Sequence, residues 1–486
     1  MKMKKALSII LTSAILLTTA CSDNNTSSVN SQNNSTSSTE SSKTDSDTSS
    51  KTNSEVITEA PAENTPNNLD DTLPQFSPAN IHYENVKKGK EGYYYKARIK
   101  SDGGRDFEGL SYYDNATGKT IPLCSKPQCM HDGNDFCAAT GLQGDNRSVL
   151  YNGYIYRLGI RRTDTEFTIG LLRTDLQGNE LSRISDIHTG LCGEIRNTST
   201  IGDSVVFHYG KMFISFNPIA DKEEERILYM VDLETGAGKE IHVPPPENNA
   251  TRLLHYSFRS LMADGDFLYY TTKEARWNHP QVHDDAHLTY DRTTMYRFNI
   301  RTGETEMISA MPDVYSSFTV NNGIIYYTVA DRSDNTFSLY SYDIEKDETK
   351  TIIDKHQQNY VNGKYVSDRS KVTVLTDRKY LYVCTSGIDS GTTITDRVDD
   401  VDFYIYSLDG KELVHGLPGM EELIDMEKDW YASFSALDGE VYFNYQDRNY
   451  ERKNTDEDKN SGMYVINTED LINGNNSWKK LYRRYV

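Results

Sequence analysis

One recurrence limits what this chain can fold into more than any other feature. An aromatic residue at the same place in a short apolar run, preceded by a Gly or Asp turn, returns at Tyr95 (EGYYY), Tyr156 (NGYIY), Phe207 (GDSVVF), Tyr269 (DGDFLYY), Tyr326 (NGIIYY), Tyr382 (DRKYLY) and Tyr442 (DGEVYF). Successive anchors stand 61, 51, 62, 57, 56 and 60 residues apart. A period of this size marks one supersecondary unit repeated, whose neighbours must stack to bury a face. A second signature follows each anchor, as in LYMVDLETGAGKEI, MYRFNIRTGETEMI and FYIYSLDGKELV, where an Asp-x-x-Thr-Gly or Leu-Asp-Gly turn joins two apolar runs. That is the chemistry of tight hairpins.

The unit is clearest at 321–353, where IIYY, FSLYSYDI and TKTII are separated by Asp- and Asn-rich breaks. Tyr-rich and β-branched runs of this length suit a pleated sheet, and no 3.6-residue stripe is sustained. Adding the run before each anchor, such as SSFTV before Asn321 or ASFSAL before Asp438, gives four strands per repeat, labelled A to D from centre to rim. Four-stranded repeats arranged radially make a β-propeller. The prediction for 72–486 is therefore an all-β, seven-bladed propeller of four-stranded antiparallel blades, with six or eight blades as the alternatives. SWKKLYRRYV reads as the last blade's own D strand and 81–86 as the first blade's own A strand. The ring would then close by packing, without a strand borrowed from the other terminus.

Residues 1–20 carry Lys2, Lys4 and Lys5, an apolar run ALSIILTSAILL and the small residues TTA, which is the layout of a secretory signal peptide. Cys21 stands at the cleavage point and resembles the acylated cysteine of bacterial lipoproteins, although Thr18 replaces the usual Leu. Acyl chains contribute about 0.8 kcal/mol per buried methylene, enough to hold a protein on a bilayer without a spanning helix. Residues 21–71 are the lipidated cysteine and a tether of Ser, Thr, Asn, Asp and Glu that has no apolar run to order it. A flexible chain of this length reaches about 40 Å. The net charge of -20 gives no reason to seek nucleic acid or an anionic membrane. Many Asn, Lys, Ile and Tyr residues point to an AT-rich genome and a Gram-positive host.

Runs such as LYYT and IYYT, followed by LYxxD and a Gly turn, resemble the YWTD propellers of low-density-lipoprotein-receptor-related proteins. They also resemble the propeller domain of unknown function found in bacterial surface lipoproteins. The resemblance covers the folded part and implies a propeller; no repeat has Trp after the anchor Tyr, and the receptor propellers have six blades. It brings no catalytic residue with it, since fold does not fix function.

Function is then sought where repeats differ. B-to-C and D-to-A connections share one face, and the longest B-to-C segments are expected at 271–294, 384–402, 443–462 and 208–227. Long insertions on one face of a rigid ring are what a binding surface looks like. One holds ARWNHPQVHDDAH, with Trp277 as a contact residue and His279, His283 and His287 as ligand-binding residues that on a helix would share a face. Pro280 opposes such a helix except near its start.

The connection after the first repeat reads LCSKPQCMHDGNDFCAA, with Cys124, Cys129, His131 and Cys137. It resembles a short cysteine-rich segment of the same lipoprotein group. Two readings stand: two disulfides completed by Cys192 and stapling adjacent blades, which export favours, or a zinc site of three thiolates and an imidazole. Cys384 is left as a buried or odd thiol. No G-x-S-x-G, H-E-x-x-H or phosphate-binding glycine loop is present, so no catalytic residue is assigned. Apart from that zinc, no cofactor is expected. The sequence thus predicts a monomeric, membrane-anchored extracytoplasmic lipoprotein that binds or scaffolds a cell-surface protein or glycan. An enzyme acting on glycans or peptides, and a subunit of an envelope assembly or sensing complex, are the alternatives.

Overall fold

The computed structural model describes residues 75–76, 87–100, 106–131, 137–140, 148–191, 204–216, 227–242, 255–258, 261–277, 288–308, 317–331, 336–357, 370–387, 402–423, 430–447 and 461–481. All lie in the unit Thr58–Val486. The signal peptide, Cys21, the tether, the first-strand expectation at 81–86, Cys192, His279, His283 and His287 fall outside them.

Seven antiparallel sheets follow one another along the chain, at 87–122, 148–191, 204–240, 255–307, 317–357, 370–415 and 430–481. Six are four-stranded meanders in chain order, and the fourth has two extra strands. This is the seven-bladed propeller. Among the described residues there are seven principal apolar clusters, one at each seam between consecutive blades. Alternation along one strand shows why the runs read as continuously apolar: Ile325 and Tyr327 of blade five pack toward blade four, whereas Tyr326 packs toward blade six. Both strand faces are buried, so period two leaves no polar side.

In blades three and four the second-signature turns are Asx turns. Asp232 Oδ1 accepts the N–H groups of Glu234 (3.1 Å) and Thr235 (2.9 Å), and Asn299 Oδ1 those of Arg301 (2.9 Å) and Thr302 (3.0 Å). In blade seven the expected tight hairpin is instead a helical turn, Thr468–Ile472, capped by Asn467, whose side chain accepts the Glu469 N–H at 2.9 Å. The blade still ends in its own outer strand, Lys479–Leu481. Among the described residues no strand is shared between the first and last blades.

The anchor expected at Phe207 is corrected. Phe207 lies in the inner strand Ser204–His208, and the second strand is Lys211–Phe216 after the Tyr209-Gly210 turn. The residue equivalent to the other anchors is Phe213, third in its strand and fully buried. The long connections are corrected too. Much of 271–294 is strand, since Phe267–Trp277 pairs with Leu288–Asn299, and 208–227 contains a whole strand. Strands also run to Gly387 in blade six and to Asp447 in blade seven.

Polar groups near the inner-strand ends tie blades two to six in succession. Tyr151 Oη accepts the Gly210 N–H (2.6 Å), the His208 ring meets the Gly265 carbonyl (2.6 Å), and Asp264 accepts the Gly323 N–H (3.2 Å). Asn321 donates to the Arg378 carbonyl (3.3 Å). Burial pushes the Asp264 carboxyl above its ordinary value, against the opposing pull of the Gly323 N–H, Arg378 and His208. A raised folded-state value means that the stability contribution is fully present below the unfolded value of about 3.9 and is lost as pH rises through the folded one. Asp264→Asn keeps an acceptor and has no charge to desolvate. It is therefore expected to unfold at a higher urea midpoint than the wild type at pH 7.5 and to converge with it near pH 4; a lower midpoint at pH 7.5 would contradict this.

Candidate metal centre

The chain leaves the outer strand of blade one, Lys119–Pro122, and turns into the seam with blade two. Leu123 donates its N–H to Leu110 O at 2.9 Å, and Leu110 donates its own to Ala139 O at 2.9 Å. One residue of blade one thus holds both ends of the intervening loop. Leu123 packs with Tyr94, Leu110 and Tyr112 of blade one and with Ile155 and Leu176 of blade two. On the blade-two side, Ser125 N–H reaches Gly178 O at 3.2 Å.

Within this loop Cys124, Cys129, His131 and Cys137 converge, their donor atoms all within 4.8 Å of one another. Among the described residues it is the one such convergence of three or more His, Cys, Asp or Glu donors. Cys137 is fully buried and central: His131 Nδ1 lies 3.4 Å from its Sγ, and the Thr140 N–H points at the same sulfur at 3.4 Å. The hydrogen bond with Cys124, reinforced by those from His131 and Thr140, holds the Cys137 thiol well below its ordinary value. The same bond pushes Cys124 up, and burial pushes Cys129 up. His131 has φ 49°, a left-handed conformation uncommon outside glycine.

Beside the cluster, the Arg157 guanidinium donates to Ala138 O at 2.8 Å and Ala139 O at 3.4 Å. Its Nε is buried without a hydrogen-bond partner, and burial pulls its pKa down to about 10 against the opposing pull of Cys137. Sequence reasoning missed Arg157. The signal was there, because the position after the anchor is Tyr270, Tyr327, Val383 and Phe443 in blades four to seven.

The predicted cluster residues Cys124, Cys129, His131 and Cys137 are brought together, but not where the connection was expected. It was placed on the face of the long B-to-C segments; the bonds to Leu110 and Gly178 draw it into the seam. Cys124, Cys129 and Cys137 are free thiols, and Cys384 packs half-buried between blades six and seven. Three thiols and one imidazole have the number and softness of a tetrahedral zinc set. Trp277 ends the second strand of blade four, opposite Leu288, away in sequence and blade from the cysteine loop.

No family model matches the chain, and no curated protein matches it. Solved structures do. A prolyl endopeptidase is 9% identical with a TM-score of 0.43, over 86% of this chain and 50% of its own, so the chain spans half of that enzyme's length. The β-propeller domain of the Trilobed protease from Pyrococcus furiosus is 11% identical with a TM-score of 0.43, over 83% of this chain and 98% of that one. TolB from Acinetobacter baumannii is 14% identical with a TM-score of 0.33, over 83% and 80% respectively. These are likenesses of architecture. The class is the one the seven sheets define, a seven-bladed β-propeller module.

Proposed function

We propose that this protein is an extracytoplasmic lipoprotein, acylated at Cys21 on the surface of a Gram-positive cell, whose monomeric propeller binds a cell-surface protein or glycan. Binding uses the face from which the B-to-C hairpins emerge. Blade four carries this reading. Its B and C strands, Phe267–Trp277 and Leu288–Asn299, are 11 and 12 residues long, and an extra strand, His255–Phe258, braces the far half of the hairpin. Blade three's second strand, by comparison, has 6 residues. A braced hairpin that carries Trp277 near its end is a preorganised place for an aromatic anchor.

Blade four is extended at its inner edge as well. Gln75–Phe76 pairs antiparallel with Met262–Asp264, the inner strand of blade four, with Gln75 opposite Ala263 and Phe76 opposite Met262. This two-residue strand therefore runs from the side of the A-to-B turns toward the side from which the B-to-C hairpins emerge. The net charge of -20 favours neither nucleic acid nor an anionic bilayer as the ligand.

Detergent-phase partitioning followed by envelope binding tests the reading. The full chain is expected in the detergent phase and Cys21→Ala in the aqueous phase. The aqueous Cys21→Ala protein should then bind isolated cell envelopes saturably, and adding Trp277→Ala should weaken that binding at least about tenfold, as loss of an interface Trp does. Cys21→Ala in the detergent phase would remove the anchor; undiminished binding with Trp277→Ala would remove the face.

A further inference from the structure

We propose that Cys124, Cys129, His131 and Cys137 form a structural Zn2+ site that locks the seam between blades one and two. This stands independently of the binding function. Four donors of the kinds that tetrahedral zinc prefers lie within 4.8 Å of each other, and the 3.4 Å from His131 Nδ1 to Cys137 Sγ resembles one edge of such a tetrahedron. The set would have been expected to disperse if its four members were ordinary loop residues. Instead the loop is closed at Leu110 from both ends, and His131 holds a left-handed backbone that turns its ring toward the sulfurs.

Charge gives the second line of argument. A buried guanidinium needs an anion, and among the described residues no carboxylate pairs with Arg157, whose opposing charge comes from Cys137 of the cluster. Zinc held by three thiolates and a neutral imidazole carries one net negative charge, placed beside the two carbonyls to which Arg157 donates. Binding follows Zn2+ + three Cys–SH + His, giving Zn(S-Cys)3(His) and three protons, with no change of oxidation state. The Thr140 N–H on Cys137 Sγ is an outer-shell donor of the sort that orients and stabilises a metal thiolate. Disulfides in place of the thiolates would leave Arg157 facing neutral sulfurs.

A stapling zinc also accounts for the position of the loop. Cys124 follows the outer strand of blade one, while Ala138 and Ala139 are bonded by Arg157 from the second strand of blade two. The ion would fix the segment through which one blade grips the next.

The test is metal content of the full chain purified without chelators and with zinc in the medium, with Co2+ exchange as a spectroscopic probe. One zinc per chain is expected, with a thiolate-to-cobalt charge-transfer band after exchange. Cys137→Ser should hold less than a tenth of that zinc. His131→Ala, at a half-buried position, should fold and lose zinc to a competing chelator at least tenfold more readily. Wild-type protein without zinc, its thiols paired as disulfides by intact mass, would overturn the proposal. If Cys137→Ser does not fold, unchanged zinc affinity in His131→Ala would overturn it equally.

Discussion

Glu440→Ala is expected to destabilise the propeller by about 3–5 kcal/mol, the usual cost of removing one partner from a buried charged network. Among the described residues no strand is shared between the first and last blades, and side chains join them. Tyr93, Tyr95, Ala97 and Tyr113 of blade one pack on Tyr442, Met463, Val465 and Leu481 of blade seven. Glu440 is buried inside this seam, where it accepts from Tyr442 Oη at 2.7 Å and Tyr93 Oη at 3.1 Å. Burial first, and then the Glu440 charge, push both phenols up, so they stay protonated and donate. Alanine leaves two buried hydroxyls without their acceptor, at about 1–3 kcal/mol each. The ion pair with Lys88 at 3.0 Å adds little, because Lys88 is 38% exposed. Urea unfolding at an unchanged m-value reads the loss, with Tyr93→Phe as a milder companion at about 1 kcal/mol. Wild-type stability in Glu440→Ala would mean that apolar packing alone closes the ring.

Blade number was legible because each blade repeats a local object, a hairpin whose turn residues and aromatic anchor sit within a dozen residues. Blade three shows the limit. GDSVVF imitates a turn and second strand, whereas the true turn is Tyr209-Gly210, which lacks the Asn or Asp found at Asn152, Asn322 and Asp438. With Phe213 as the anchor, the two uneven intervals become 57 and 56 residues. What depends on a partner one repeat away was not legible. His208 and Asp264 look like ordinary strand ends, and only the neighbouring blade's turn, at Gly265 or Gly323, gives them a role. The cysteine loop falls between these cases. Its residues announced a cluster, but its depth in the seam depends on Leu110, which no spacing rule connects to Leu123 and Ala139.

The turn glycines have a second task that a pair of matched substitutions isolates. Gly236 and Gly303 occupy the same Asx turn in blades three and four, with φ 71° and 79°. Left-handed backbone costs an Ala about 1–2 kcal/mol at either position. Around Gly303 no atom would come within 4 Å of an added Cβ; at Gly236 that Cβ would lie 2.4 Å from the Ile184 carbonyl oxygen in the outer strand of blade two. The Ser185 hydroxyl also donates to Gly236 O at 2.8 Å, so the blades are in register at this contact and cannot part without losing it. Gly303→Ala should therefore cost about 1 kcal/mol and Gly236→Ala about 3 kcal/mol or more, the excess being overpacking against backbone. Equal urea midpoints for the two variants would show that the seam between blades two and three yields freely. Gly178 makes the same approach to Leu123 and Cys124, its Cβ position lying 2.5 Å from the Leu123 carbonyl group. A glycine in the Asp-x-x-Thr-Gly turn thus sets the distance between blades as well as the bend of its hairpin, so the same substitution has unequal effects around the ring.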